Sequence, residues 1–341
     1  MSSRLPPPQR FSPDDALPPV EPPSAGFILQ LFVVPGVIVI VIVMIWLMFN
    51  WLAHMGSGSE AYVRDLSRNN EARWQAAFNL ANALRAERGS TQPELTVDKR
   101  LAEQLAGILN DELEAGSMDE KPITLRIYLS RALGEFRVDD GLPVLIKVAS
   151  TERDPREGDA RRAALEGIAL LAANFPPDDK RFVDHAKLRE VLLEAAAADD
   201  PRTRAAAAVA MGVIGGAPFV DKLHFMLEDS HPDVRYNAAL RLAHLGDAAS
   251  VDVLTEMLDP QETAGVQAEK QKDMQGFKRA LITINALRAT QQLAQHNAGA
   301  DLSVLQTSVE KLLASDTAAD ARVEATETLR QLRTREVPAA K

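Results

Sequence analysis

Apolar side chains recur along most of this chain at the spacing of one helix face, most clearly in "PDVRYNAALRLAHLG" at residues 232–246. With Arg235 as origin, Ala238, Leu242 and Leu245 follow at offsets of three, seven and ten, and Gly246 closes the stretch. Those offsets fall on a single stripe of an α-helix. The same set follows Arg204 (Ala207, Met211, Ile214), Arg161 (Ala164, Ile168, Leu171), Arg126 (Leu129, Leu133, Phe136) and Arg322 (Ala325, Leu329, Leu332). A fainter copy follows Arg73 (Ala76, Leu80, Ala83). In another, Phe277 takes the arginine's place ahead of Ala280, Ile284 and Leu287.

Each copy but the last is followed by a second amphipathic stretch, such as "KLREVLLEAAA" at 187–197 or "VDVLTEMLD" at 251–259. Most of these end in acidic residues and a turn, as in "DSHPD" at 229–233. A helix–turn–helix unit repeated at about 40 residues predicts an all-α fold, an α-solenoid of helix pairs. It is expected over residues 60–333, as about six pairs and a charged terminal half-repeat that serves as a polar cap. Residues 334–341 are expected to be a disordered tail.

The N-terminal pattern differs. Residues 1–26 are crowded with prolines between Pro6 and Pro23, which fix φ and remove backbone donors, so an extended, unpacked tail is expected. Residues 27–49, "FILQLFVVPGVIVIVIVMIWLMF", carry no charge. At 1.5 Å per residue they reach roughly 34 Å, enough for a hydrocarbon core of about 30 Å. A single uncleaved transmembrane helix is expected over 27–53, with Trp46 and Trp51 as anchors at the interface. Pro35-Gly36 marks a place for a kink that a membrane span tolerates. Residues 54–59 form a short linker, and "GSGSE" at 56–60 reads as a flexible hinge. Within about fifteen residues of the span, Arg64 is the sole Lys or Arg, which favours a cytoplasmic solenoid by one residue. Counting the whole tail gives Arg4 and Arg10 against Arg64 and Arg68, a tie.

The net charge of −10 lies almost wholly in the body after the apolar run. An acidic body without a basic stripe is a poor match for nucleic acid, so no nucleic-acid partner is expected. The chain has no cysteine, which excludes disulfides, thiol nucleophiles and cysteine-ligated metals.

The stretches "DDPRTRAAAAVAMGVIGGAPFVDKLHFMLED" and "DSHPDVRYNAALRLAHLGDAASVDVLTEMLDP" resemble HEAT repeats, particularly the bacterial type related to the phycobilisome-lyase repeats. The likeness is best over 157–258, and the family's Asp-x-x-Val-Arg core is best kept at Asp233–Arg235, without the two intervening residues. The Phe277 unit departs from the pattern, and its lead-in "PQETAGVQAEKQKDMQG" reads as an irregular insertion. The resemblance implies that the motif arginine braces one repeat against the next through an acidic residue. That gives Arg126, Arg161, Arg204, Arg235 and Arg322 a structural role.

The resemblance also raises enzymatic possibilities. HEAT-like deoxyhypusine hydroxylases bind two irons through His-Glu pairs. The histidines here are His54, His185, His224, His231, His244 and His296, and none precedes a glutamate. None is paired with another within one helix turn, so no metal and no cofactor are expected. His244 reads as a structural histidine between core positions. The doublets Asp139-Asp140, Asp178-Asp179 and Asp199-Asp200 lack calcium-loop spacing and read as helix caps. "GVIGG" at 212–216 reads as a helix stop. The resulting expectation is a non-enzymatic, membrane-anchored scaffold or adaptor that binds a protein partner on its solenoid surface. A lyase-like or other enzyme built on such repeats is the alternative.

Overall fold

The computed structural model describes residues 24, 26, 29–54, 59–68, 72–176, 179–315 and 318–335. The structure of the proline-rich tail, apart from Ser24 and Gly26, lies outside them, as do the Trp51 side chain, Asp178 and residues 336–341. The described residues form sixteen helices and no strand. The chain divides into two compact units, residues 1–58 and 59–341.

In the first unit a π-helical turn, Leu29–Val33, runs into helix α1, Val34–His54. Pro35 is the second residue of α1, where a missing N–H costs nothing, so the regular helix starts there instead of kinking midway. The irregular turn that precedes it is where the backbone absorbs the change. The stretch Leu29–Phe49 is long and apolar enough to cross a membrane. Trp46 is exposed near its far end.

The second unit begins with α2, Ser59–Ser67, so Ser59 and Glu60 belong to a helix and not to a hinge. Seven helices then form a first row: α3 (Arg73–Ala86), α5 (Glu120–Gly134), α7 (Gly158–Ala173), α10 (Pro201–Ile214), α12 (Pro232–His244), α14 (Lys272–His296) and α16 (Ala319–Thr334). Each packs on the next. Between them lie the second-row helices α4 (Lys99–Ala115), α6 (Leu142–Ser150), α9 (Ala186–Ala195), α11 (Ala217–Met226), α13 (Val251–Leu258) and α15 (Ser303–Ala314). A short α8, Lys180–Val183, precedes α9.

Small residues line the first three seams of the first row. Counting from each motif arginine, the eighth residue of one helix and the sixth of the next are Ala81 and Ala132, then Gly134 and Gly167, then Ala169 and Ala210. The four alanines are buried, and a Cβ on Gly134 would stand 2.8 Å from the Gly167 Cα. Small side chains there let neighbouring helices approach closely.

The motif's apolar positions are all buried after Arg126, Arg161, Arg204 and Arg322. Three copies differ. Leu245 is 41% exposed because α12 ends at His244 and Gly246, at φ +79°, turns the chain away. After Arg73 only Leu80 of the motif is buried, and Ala77, Ala81 and Leu84 carry the core face. In α14 Phe277 is 60% exposed, and the core face is Ile282, Ala286, Leu287 and Leu293. Of the stripe read from Phe277, Leu287 is buried and Ala280 and Ile284 are half-buried, while Phe277 itself is exposed together with Met274 and Leu281. Residues 259–271, ahead of α14, hold no helix. The core forms two clusters that meet at α12. Val234, Ala238 and Leu242 join the first, and Tyr236, Ala239 and Ala243 the second.

Candidate protein-binding face

The motif arginines sit in the first turn of the first-row helices, except Arg126 in the second turn of α5, and each reaches back to a backbone carbonyl left open where the preceding helix or turn ends. Arg73 donates to Leu66 O at 2.7 Å, Arg126 to Ser117 O at 2.5 Å and Arg161 to Ala149 O at 3.2 Å. Arg204 donates to Ala198 O and Asp199 O at 2.9 Å, Arg235 to Asp229 O at 2.8 Å and Arg322 to Ser315 O at 3.1 Å. A cation there also meets the negative end of the helix dipole.

Most of these arginines also hold an acid. Arg73 pairs with Glu112 at 2.6 Å, Arg161 with Glu152 at 2.8 Å and Arg235 with Glu256 at 2.6 Å. Arg204 grips Asp229 with two parallel bonds of 2.8 Å. Arg126 is fully buried and donates to Glu157 at 2.7 Å, while Arg153 donates to both oxygens of the same carboxylate. Burial alone would raise the Glu157 pKa, but the Arg153 side chain and N–H, together with Arg126, hold it below the usual carboxylate range. We propose that this set braces the repeats; hydrogen bonds to charged groups contribute about 1.5–3 kcal/mol each.

The acidic doublets divide. Asp179 and Asp200 are N-caps, accepting from Arg181 N at 2.9 Å and from Thr203 N at 3.2 Å. Asp139 and Asp140 cap nothing with their side chains; they face Arg181 at 3.7 Å and Lys99 at 3.3 Å. Gly215, at φ +75°, ends α10, as a helix stop should.

His244 is exposed at the end of α12 and is not part of the core. The fold brings His296 to it, with ring centroids 5.6 Å apart and the His296 Nδ1 2.6 Å from the His244 carbonyl oxygen. Sequence spacing hides this meeting because 52 residues separate the two. Among the described residues, no group of three or more His, Cys, Asp or Glu is placed to hold a metal.

A different cluster stands out on the outer side of the first row. Trp74 and Phe78 lie one turn apart on α3, and Tyr128 and Arg131 one turn apart on α5. The Trp74 and Tyr128 rings stack at 6.3 Å, Phe78 meets Tyr128 edge-on at 5.2 Å, and the Arg131 guanidinium lies 5.8 Å from the Tyr128 centroid. Phe78 is exposed, and Trp74 and Tyr128 are half-buried. A groove of about 280 Å³ continues from Tyr128 and Arg131 across to Arg162, Ala163 and Glu166 of α7. The helical repeat pattern alone does not mark these residues. Their signal is an aromatic pair at i, i+4 directly after a motif arginine, in a chain with only 5% aromatics.

The model of the HEAT repeats family matches residues 186–269, from α9 to the segment before α14. Residues 186–269 therefore carry HEAT repeats. Among solved structures, an engineered protein aligns at 19% identity over 81% of this chain and 96% of its own, with a TM-score of 0.36. YibA from Escherichia coli aligns at 16% identity over 80% of this chain and 92% of its own, with a TM-score of 0.34. No curated protein matches the chain.

Proposed function

We propose that this HEAT-repeat chain is a membrane-tethered, non-enzymatic scaffold that docks a protein partner on the outer side of its first helix row. The observation that carries the reading is the Trp74–Phe78–Tyr128–Arg131 cluster, left partly open to solvent. Tryptophan, tyrosine and arginine are the residue types that dominate interface energetics, and rigid aromatic rings lose little entropy when covered. HEAT-type solenoids present long surfaces for such contacts. The tether is the apolar stretch Leu29–Phe49, which is long enough to span a bilayer. Arg64, just after it, favours repeats on the cytoplasmic side.

The test is site-specific photocrosslinking in native membranes, with a photoreactive phenylalanine at Phe78 or at Phe225. Phe225 is the more exposed of the two, at 76%, and lies on α11 in the second row. The expected result is a discrete protein adduct from position 78, absent from position 225, that stays in the pellet after alkaline carbonate washing. Equal adducts from both positions would contradict the docking face, and release of the full chain by carbonate would contradict the tether.

A further inference from the structure

The fourth seam of the first row breaks the rule of the three before it. Its two positions are Gly212 on α10 and Arg241 on α12, the eighth and sixth residues after Arg204 and Arg235. A Cβ on Gly212 would fall inside the arginine's stem, against its Cβ, Cγ and Cδ. Gly212 is thus the slot that admits an arginine where small residues close the neighbouring seams. Packing does not demand a guanidinium there.

The guanidinium is also unmatched. Among the described residues Arg241 makes no side-chain hydrogen bond and no ion pair, and its Nε is buried without an acceptor. Burial pushes its pKa below the usual arginine range, with no acid to counter the shift. The contrast with Arg73, Arg126, Arg161, Arg204 and Arg235, each of which holds a carboxylate, is direct. A half-desolvated charge without a counter-ion costs stability, and the chain has acids in excess with which to cancel it.

We propose that Arg241 is a receptor for a carboxylate supplied from outside the chain, the acidic side chain of the partner that docks on the repeats. The planar fork of arginine suits a carboxylate held by two parallel bonds, and a sheltered seam strengthens the pair. The inference rests on the docking reading for the source of the acid. Its test needs no partner, so the two fail separately.

The full chain in detergent micelles is unfolded thermally at pH 7 in sodium chloride, acetate or phosphate at equal ionic strength, as wild type, Arg241→Met and Arg241→Lys. Acetate is expected to raise the wild-type midpoint over chloride by about 2–4 °C. Arg241→Lys should keep under half of that rise, and Arg241→Met none. In chloride the Met variant should unfold no lower than wild type, since it removes an unpaired, desolvated charge. A Met variant that loses as much in chloride as Arg204→Met would make Arg241 a packing residue and overturn the proposal. An equal acetate effect on wild type and Met variant would also overturn it. A response to phosphate without one to acetate would replace the carboxylate with a phosphate-bearing ligand.

Discussion

Asp229 clasps Arg204 through both carboxylate oxygens at 2.8 Å, while its backbone carbonyl accepts from Arg235 at 2.8 Å. Side chain and main chain of one residue therefore tie α10 to the turn that opens α12. Both partners of the Arg204–Asp229 pair are largely buried, so solvent screens little of the attraction. Arg204→Met should lower the unfolding free energy by about 2–3 kcal/mol. Combining it with Asp229→Asn should cost less than the sum of the single changes, because both remove the same contact. Urea denaturation of the four proteins measures this, and strict additivity would show the pair to be uncoupled.

Acid should act through the same kind of joint. Glu157 and Asp229 lie in surroundings that would raise their pKa values by burial, but hydrogen bonds from Arg153 and Arg126, and from Arg204 and His231 N, hold both below the ordinary range. Glu87 behaves alike, accepting the backbone N–H groups of Glu94, Leu95 and Thr96 at 3.0–3.2 Å. A depressed folded pKa contributes stability that is fully present above the unfolded value, near 4–4.5, and is lost as pH falls through the folded value. Stability should therefore fall from pH 4.5 downward. Glu157→Gln should be less stable at pH 7 and show a shallower fall below pH 4.5, read from urea midpoints at each pH. A Gln variant with an acid slope as steep as wild type would rule Glu157 out as a contributor.

Gly246 closes the motif for a conformational reason. Its φ of +79° disfavours a side chain, and a Cβ would meet the His296 Cβ at 3.1 Å and its carbonyl oxygen at 3.2 Å. Gly246→Ala should cost about 1–2 kcal/mol. The loss should exceed that of alanine at Gly276 of α14, which has open space around it and no positive φ. Equal thermal midpoints for the two variants would contradict the account.

The repeat was legible because its arginine and its apolar stripe answer to local geometry. Four copies could be read correctly from spacing alone, since a helix that packs on both neighbours buries a fixed face. The copy at Phe277 holds fully only at Leu287, because α14 carries overlapping apolar stripes and periodicity cannot say which one faces the core. Contacts made across repeats were invisible for a related reason. Trp74 meets Tyr128 and His244 meets His296 only once the row is stacked, and Arg241 looks like any helical arginine until Gly212 is seen beneath it. The caps at Asp179 and Asp200 depended on their own turns and could be read locally, whereas Asp139 and Asp140 serve distant cations.

The central claim is that the aromatic cluster on α3 and α5 is where a partner docks. The most direct measurement is quantitative capture of the crosslink-identified partner by the full chain and by a Trp74→Ala/Tyr128→Ala variant, with circular dichroism confirming equal helix content. Interface anchors of this type are each worth about 2 kcal/mol or more, so the double variant should bind at least 100-fold more weakly. Undiminished binding by a fully folded variant would contradict the account.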